Sequence, residues 1–122
     1  MTELPKPLVW IASSKKDLKT FPRPVQRDLG QALEIAQFGM TPAHAKSLKG
    51  FKGAGVLELV EDHDGNTYRA VYTVRLAGRI YVLHAFQKKS KKGIETPKHV
   101  IDLIKARLKE AERVHAHLET QK

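Results

Sequence analysis

The sequence predicts an α+β domain in which one sheet packs against helices, with residues 1–122 forming a single unit. Apolar runs of strand length, stretches with helical spacing of apolar residues, and short turns between consecutive strands together predict this class. A chain of 122 residues suits one domain and is long enough to bury a core without disulfides or a metal.

The N-terminal part predicts a strand followed by two helices. Leu8–Ile11 is a short apolar run of strand type, and Ser13 or Ser14 is placed to cap a short helix after it. Pro24 suits the first turn of a second helix, which is predicted to end near Gly39 in a left-handed cap. The predicted buried stripe of the second helix consists of Val25, Leu29, Leu33, Ile35 and Ala36.

The C-terminal part predicts an antiparallel meander and a last helix. After a glycine-rich loop, the predicted strands are Val56–Glu61, Thr67–Leu76 and Arg79–Gln87, joined by short turns. Thr96 is predicted to cap the last helix, with Pro97 at its first position. The remaining features are the apolar stripe of this helix, Val100, Leu103, Ile104 and Leu108, and a polar tail expected to fray, residues 114–122.

The composition favours a polyanionic partner. Lys and Arg number 22 against 13 Asp and Glu, which gives a net charge of +9 and points first to nucleic acid, the alternative being a highly soluble protein without such a ligand. The absence of cysteine excludes disulfides, thiolate nucleophiles and Cys-type zinc sites, and it suits a cytoplasmic location. No apolar run approaches the roughly 18 residues of a membrane span, and the N-terminus lacks a signal-peptide pattern.

The middle strand of the meander carries two arginines on one face. Because side chains alternate across a sheet, Tyr68 and Tyr72 are predicted on the core face and Arg69 and Arg75 on the open face. A guanidinium on an open face presents donors that match a phosphate group. The alternative is an arginine that is merely solvated, or one that pairs with Glu58 across the strands.

Two basic segments flank the meander. The one after the last strand contains Lys88, Lys89, Lys91 and Lys92, and the one before the first strand contains Lys46, Lys49 and Lys52. Crowded ammonium groups repel one another unless an anion lies among them. Because the two segments flank a sheet with an outward arginine, they are predicted to line one groove for RNA. The alternative for the later segment is a solvated, mobile loop.

The remaining candidates for chemistry are histidines. His84 lies in an apolar strand, where it is either a general base or, more commonly for such a residue, a hydrogen-bonded core residue. His115 and His117 are spaced i, i+2 and do not share a helical face, so no metal site is predicted. No phosphate-loop, dinucleotide or nucleophile-elbow motif occurs, which argues against ATP-driven and acyl-transfer chemistry.

Five segments in order carry a family resemblance: Ser47–Gly50, Val56–Leu59, Thr67–Tyr72, Leu83–Lys89 and Thr96-Pro97. Over about residues 47–109 the sequence resembles the RelE/HigB toxin superfamily, and most closely its phage-derived, host-inhibition HigB-type branch. The resemblance implies a RelE-like fold, with helices on a strongly curved antiparallel sheet.

The same resemblance implies a cytoplasmic toxin of a type II toxin–antitoxin system, encoded beside a helix-turn-helix antitoxin of HigA type. Its implied partners are the ribosome and messenger RNA, with no membrane. The implied activity is ribosome-dependent cleavage of messenger RNA without metal or other cofactor, in which the ribose 2′-hydroxyl attacks the adjacent phosphate.

Carried over by residue, the resemblance implies that Arg69 stabilises the transition state and that Lys88 and Lys89 transfer a proton and neutralise phosphate. Glu58 departs from the family pattern, in which a basic residue is common, and acts either as a general base or as a partner that neutralises Arg69. The predicted RNA-binding residues are Lys46, Lys49, Lys52, Arg75, Lys91 and Lys92. Two alternatives stay open: a ParE-like inhibitor of DNA gyrase, and an RNA-binding module that does not cleave.

Overall fold

The computed structural model describes residues 4–52, 55–88 and 96–121 of the chain. The strands are β1 Leu8–Trp10, β2 Ala45–Ser47, β3 Val56–His63, β4 Asn66–Thr73 and β5 Ile80–Lys88. The helices are α1 Ser14–Leu18, α2 Arg23–Gln37 and α3 Lys98–Glu119. The predicted α+β class is confirmed, and the described elements follow the predicted order except for β2, which forms within the predicted loop.

The strands form one sheet in the order β1-β5-β4-β3-β2. The predicted antiparallel meander is confirmed, and Asp64 and Gly65 in the β3–β4 turn both have positive φ, as a two-residue type I′ hairpin requires. However, β1 pairs in parallel with β5, with Leu8 opposite Ile80, which departs at this one strand from the antiparallel sheet that the resemblance implied. Because β1 reaches the meander through two helices, no short turn dictates its direction.

Helix α2 buries one stripe of its surface on the first face of the sheet. Val25, Leu29 and Leu33 recur every four residues and pack in a cluster with Leu59 and Tyr72 of the sheet. Side chains of α1 join the same cluster. The first face is therefore the core face that the alternation of β4 predicted.

The end of α2 shows one confirmed prediction and one that was wrong. Gly39, with φ of 87°, donates its backbone N–H to the carbonyl of Ala36, and the N–H of Met40 donates to the carbonyl of Ile35, which is a Schellman cap. Ile35 itself was predicted in the buried stripe but is 39% exposed. Ile35 lies directly before Ala36, which belongs to the stripe. Because successive residues are about 100° apart around a helix, the side chain of Ile35 points away from the buried stripe.

Helix α3 covers the second face of the sheet, which the sequence predicted to be open. Ile104 and Leu108 pack with Val71 and Leu83 of the sheet, and Val71 is completely buried. Leu103 was predicted in the buried stripe of this helix but is 38% exposed. The sheet thus carries a hydrophobic cluster on each face, and few β4 positions are left for solvated side chains.

A β-bulge in β5 turns an extra residue towards α3. Val71 lies opposite His84 while the next residue, Tyr72, lies opposite Val82, so Leu83 has no place of its own in the register. Leu83 packs in the cluster beneath α3, and the ring of His84 hydrogen-bonds a side chain of α3. The side chains of two consecutive residues, Leu83 and His84, therefore both contact α3 on the second face of the sheet.

The C-terminal end of α3 is attached to the sheet. The ring Nδ1 of His115 lies 2.8 Å from the hydroxyl of Tyr81, and Arg79 Nη1 donates to Glu119 Oε2 at 2.6 Å. The helix continues to Glu119, so the prediction that residues 114–122 fray is wrong for its helical part. These polar contacts hold the last turns of α3 against the sheet, beyond the end of the predicted apolar stripe.

Candidate functional site

The second face of the sheet holds a buried ion pair. Glu58 of β3 and Arg69 of β4 are diagonal neighbours on this face, because Val71 lies opposite Glu58 and Val60 opposite Arg69. Arg69 Nη1 donates to Glu58 Oε1 at 2.9 Å, and the two side chains are 11% and 2% exposed. The prediction of an open-face Arg69 is therefore wrong, and the alternative of a pair with Glu58 is what the structure shows.

Thr96 holds the second oxygen of the same carboxylate. Its hydroxyl donates to Glu58 Oε2 at 3.1 Å. The sequence assigned that hydroxyl to capping the last helix, but Pro97 is the N-cap residue and no side-chain cap hydrogen bond forms. Among the described residues, each carboxylate oxygen of Glu58 thus accepts one donor, and a carboxylate oxygen has a second lone pair for another.

Glu58 lies in a cleft between β2, the segment after β2, and the start of α3. We call it the Glu58 cleft; its volume is about 450 Å³ and its lining residues are Lys46, Ser47, Leu48, Lys49, Gly50, Glu58, Thr96, Lys98 and Ile101. That volume is within the range of ligand-binding clefts. Arg69 does not line the cleft, and its buried Nε has no hydrogen-bond partner among the described residues. The cleft therefore presents the carboxylate, with the guanidinium beyond it.

Three lysines line the Glu58 cleft together with this carboxylate. Lys46 lies directly opposite Glu58 in the β2–β3 pair, so the two side chains share a face. Lys49 follows β2, and Lys98 is the first residue of α3. The sequence predicted Lys46 and Lys49 as RNA-binding residues but missed Lys98, whose position depends on where α3 docks. Its signal was its place directly after Pro97, which predicted the start of that helix.

Two other predicted RNA-binding residues, Lys52 and Arg75, do not line the cleft. Lys52 is exposed but does not line it. Arg75 pairs with Glu112 of α3 at 3.4 Å. Glu112 lies about 21 Å along the helix from Lys98, at a rise of 1.5 Å per residue. Arg75 therefore lies away from the Glu58 cleft, and its role in RNA binding stays a prediction.

Lys88 is the last residue of β5 and is buried, with 8% of its surface exposed. It lies opposite Thr67, two residues along from the Arg69–Phe86 pair, and so is on the same face as Arg69. The other members of the predicted basic loop, Lys89, Lys91 and Lys92, lie outside the described residues.

His84 is a partly buried residue whose ring is hydrogen-bonded. Its Nδ1 lies 2.9 Å from Arg107 Nη1, and its ring stacks on Phe86 with centroids 4.9 Å apart. Burial, and then the nearby charge of Arg107, lower the pKa of His84 to about 4. A neutral ring that accepts a hydrogen bond from an arginine has its Nδ1 occupied, so the general-base alternative finds no support in this geometry.

The lowered pKa of His84 makes stability depend on pH. The unfolded chain takes up a proton at this residue near pH 6.5, whereas the folded chain resists doing so until about pH 4. The contribution of neutral His84 to the free energy of unfolding is therefore fully present above pH 6.5 and is lost as the pH falls from about 6.5 to about 4. We expect the variant His84→Gln, which keeps an acceptor for Arg107 but does not titrate, to lose less stability over this range in urea unfolding. If the wild type and the His84→Gln variant lost equal unfolding free energy over this pH range, the lowered pKa of His84 would be contradicted.

Neither a metal site nor a membrane span is found in the described part of the chain. No group of three or more His, Cys, Asp or Glu side chains is placed to hold a metal ion there. Within the same ranges, no helix combines the length and apolar character needed to cross a bilayer.

Comparison with known proteins gives a family and a similarity to a solved structure. The family model described as "Phage derived protein Gp49-like (DUF891)" matches residues 16–109. Among solved structures, the chain is similar to one in the toxin-antitoxin complex RelBE2 from Mycobacterium tuberculosis. The two are 19% identical with a TM-score of 0.42, and the match covers 73% of this chain and 98% of that one. No curated protein matches the sequence.

Proposed function

Since the chain belongs to the phage-derived Gp49-like family, we propose that it is the toxin of a type II toxin–antitoxin system and cleaves messenger RNA. The observation that carries the cleavage proposal is the Glu58 cleft: a carboxylate held by two donors, with lysines around it. This combination supplies a proton acceptor and phosphate-neutralising cations without a metal. Assignment to the HigB-type branch and dependence on the ribosome rest on the resemblance of the sequence.

The proposed reaction starts with proton removal by Glu58. Its carboxylate takes the proton of a ribose 2′-hydroxyl, the 2′-oxygen forms a bond to the adjacent phosphorus, and the bond from phosphorus to the 5′-oxygen breaks. The leaving 5′-oxygen takes a proton from a lysine ammonium group of the cleft, and the products carry a 2′,3′-cyclic phosphate and a 5′-hydroxyl. Lys46, Lys49 and Lys98 neutralise the charge that develops on the phosphate.

This assignment changes the role that the resemblance gave to Arg69. Because Arg69 lies outside the cleft lining and donates to Glu58, we propose that it orients the catalytic carboxylate rather than contacting phosphate. Lys88 lies on the same face of the sheet but is buried, which favours an electrostatic contribution. Proton transfer by Lys88 or Lys89 stays a prediction from the resemblance.

The proposed partner that restrains the toxin is a helix-turn-helix antitoxin, in the cytoplasm. If it covers the Glu58 cleft, the surrounding lysines favour acidic side chains on the covering segment. Alternatively, the antitoxin binds the outer surface of the helices, away from the cleft, and neutralises the toxin by blocking its entry into the ribosome.

Cell-free translation tests the proposal. We expect new 5′ ends within codons of a reporter message when the chain is added to translating ribosomes, and none when ribosomes are omitted. Cleavage without ribosomes would contradict ribosome dependence alone. If messages stay intact but translation stops, the chain binds RNA without cleaving it. If messages stay intact and translation is normal, inhibition of DNA gyrase becomes the hypothesis to test.

A further inference from the structure

A second basic surface lies where α1 meets α2. We call it the α1–α2 corner; its exposed cations are Lys15, Lys16, Lys19, Arg23 and Arg27. Within the same stretch the only carboxylate is Asp17, which accepts a hydrogen bond from Ser13 at 2.7 Å. No ion pair or side-chain hydrogen bond joins the five cationic groups to another described residue. From Lys15 to Arg27 the chain therefore carries five cationic side chains against one carboxylate, with Asp28 as the next residue.

The backbone of the α1–α2 corner is fixed. The side-chain amide of Gln26 donates to the carbonyl of Lys19 at 3.0 Å and to the carbonyl of Phe21 at 2.7 Å, which ties the first turns of α2 to the end of α1. The ring of Phe21 is buried and packs 4.9 Å from that of Tyr68. Cations on a fixed backbone lose less conformational freedom when they bind than cations on a mobile tail.

The corner is concave. A depression of about 500 Å³ is lined by Lys19, Arg23, Gln26 and Arg27. Arg23 and Arg27 are four residues apart on α2, so like charges are held side by side, an arrangement that destabilises a helix unless an anion offsets it. A guanidinium matches the oxygens of a phosphate with two parallel hydrogen bonds.

We propose that the α1–α2 corner binds the phosphate backbone of RNA at a surface separate from the Glu58 cleft. The two surfaces belong to opposite faces of the sheet, since α1 and α2 pack with Tyr68 and Tyr72 while α3 packs with Val71. The choice of RNA as the polyanion rests on the proposed function. The corner supplies affinity that does not depend on the sequence of the RNA.

An anionic membrane surface is the less favoured occupant. Binding to a bilayer through a short helix uses large apolar side chains that enter the interface beside the cations. At the α1–α2 corner the large apolar side chains, Leu18, Phe21 and Val25, are all buried in the core. The surface that remains is polar and charged, which suits phosphate groups in water.

The salt dependence of RNA binding tests the proposal. The probe is a 2′-O-methylated RNA hairpin, which lacks the attacking hydroxyl and so reports binding separately from cleavage. We expect the double variant Arg23→Gln, Arg27→Gln to reduce the slope of log affinity against log salt by about 1.4–1.8, the loss of two phosphate contacts in the loop or the stem of the hairpin. The matched control, Lys105→Gln with Lys109→Gln, removes the same charge at the same spacing from α3 and should leave the slope nearly unchanged.

An unchanged slope in the Arg23, Arg27 variant, or an equal loss in the control, would overturn the proposal. So would tighter binding of the chain to phosphatidylserine vesicles than to the hairpin, if the Arg23, Arg27 variant abolished it. Circular dichroism checks that the variants are folded. Because the hairpin cannot be cleaved, an inactive wild-type chain with the expected slopes would refute the nuclease proposal alone, whereas an active chain with unchanged slopes would refute the second surface alone.

Discussion

The variant Arg69→Ala loses about 3–5 kcal/mol of unfolding free energy, because it leaves the carboxylate of Glu58 buried without its cation. Glu58 is 2% exposed and Arg69 lies beyond the cleft lining, so the side of the carboxylate that faces the guanidinium would be left without a partner. Urea unfolding at neutral pH measures the loss. The matched control is Arg75→Ala, which removes an arginine whose ion pair with Glu112 is half exposed and which should cost at most about 1 kcal/mol.

A loss below about 1 kcal/mol for Arg69→Ala would contradict a buried pair, since that value is typical of exposed pairs. The double variant Glu58→Gln, Arg69→Ala removes the unpaired charge and should recover part of the stability lost by Arg69→Ala. This prediction also changes how toxicity data are interpreted. Loss of growth inhibition in Arg69→Ala would reflect folding as well as chemistry, so it cannot by itself identify a catalytic arginine.

The variant Glu58→Gln is expected to reduce the rate of RNA cleavage by about 10²–10⁴-fold, the usual contribution of a positioned general base. The amide has nearly the shape of the carboxylate but does not accept the proton of a 2′-hydroxyl. Single-turnover cleavage of a reporter message on ribosomes measures the effect. Since Arg69 then lacks its carboxylate, unfolding must be measured on the same sample.

The matched control for this variant is Glu61→Gln, which makes the same chemical change in the same strand. Glu61 lies opposite Tyr68, on the face that packs against α2, and does not line the Glu58 cleft. Its cleavage rate should stay close to that of the wild type. A Glu58→Gln protein that is folded and fully active would remove the carboxylate from the mechanism and leave the lysines as the only candidates.

Local patterns were enough to predict most of the fold. The short turn between β3 and β4, the glycine cap at the end of α2 and the four-residue spacing of Val25 and Leu29 all depend on neighbours in the chain, and each was predicted correctly. The points at which the structure departs from the predictions depend on distant contacts. β1 takes its direction from a strand some seventy residues later, and the burial of Arg69 depends on α3 covering the second face.

The candidate site could be predicted only in part for the same reason. Glu58, Lys46 and Lys49 were singled out from residue type and resemblance, and the structure places all three in one cleft. Thr96 was assigned to helix capping because its neighbour Pro97 suits a first turn. No local rule says that the hydroxyl instead reaches a carboxylate in β3.

The attachment of α3 at both ends has a consequence for the order of folding. Its start is held by the Thr96–Glu58 hydrogen bond, between residues 38 apart in the chain, and its end by the Arg79–Glu119 pair, 40 apart. The β3–β4 hairpin closes a far shorter loop and so loses less entropy on forming. We expect hydrogen-exchange labelling during refolding to show protected amides in the hairpin before α3 docks, with the α3 amides reaching their full protection only on docking. The Glu58 cleft would then be among the last features to form, so a chain that has not finished folding would not yet have its proposed catalytic centre.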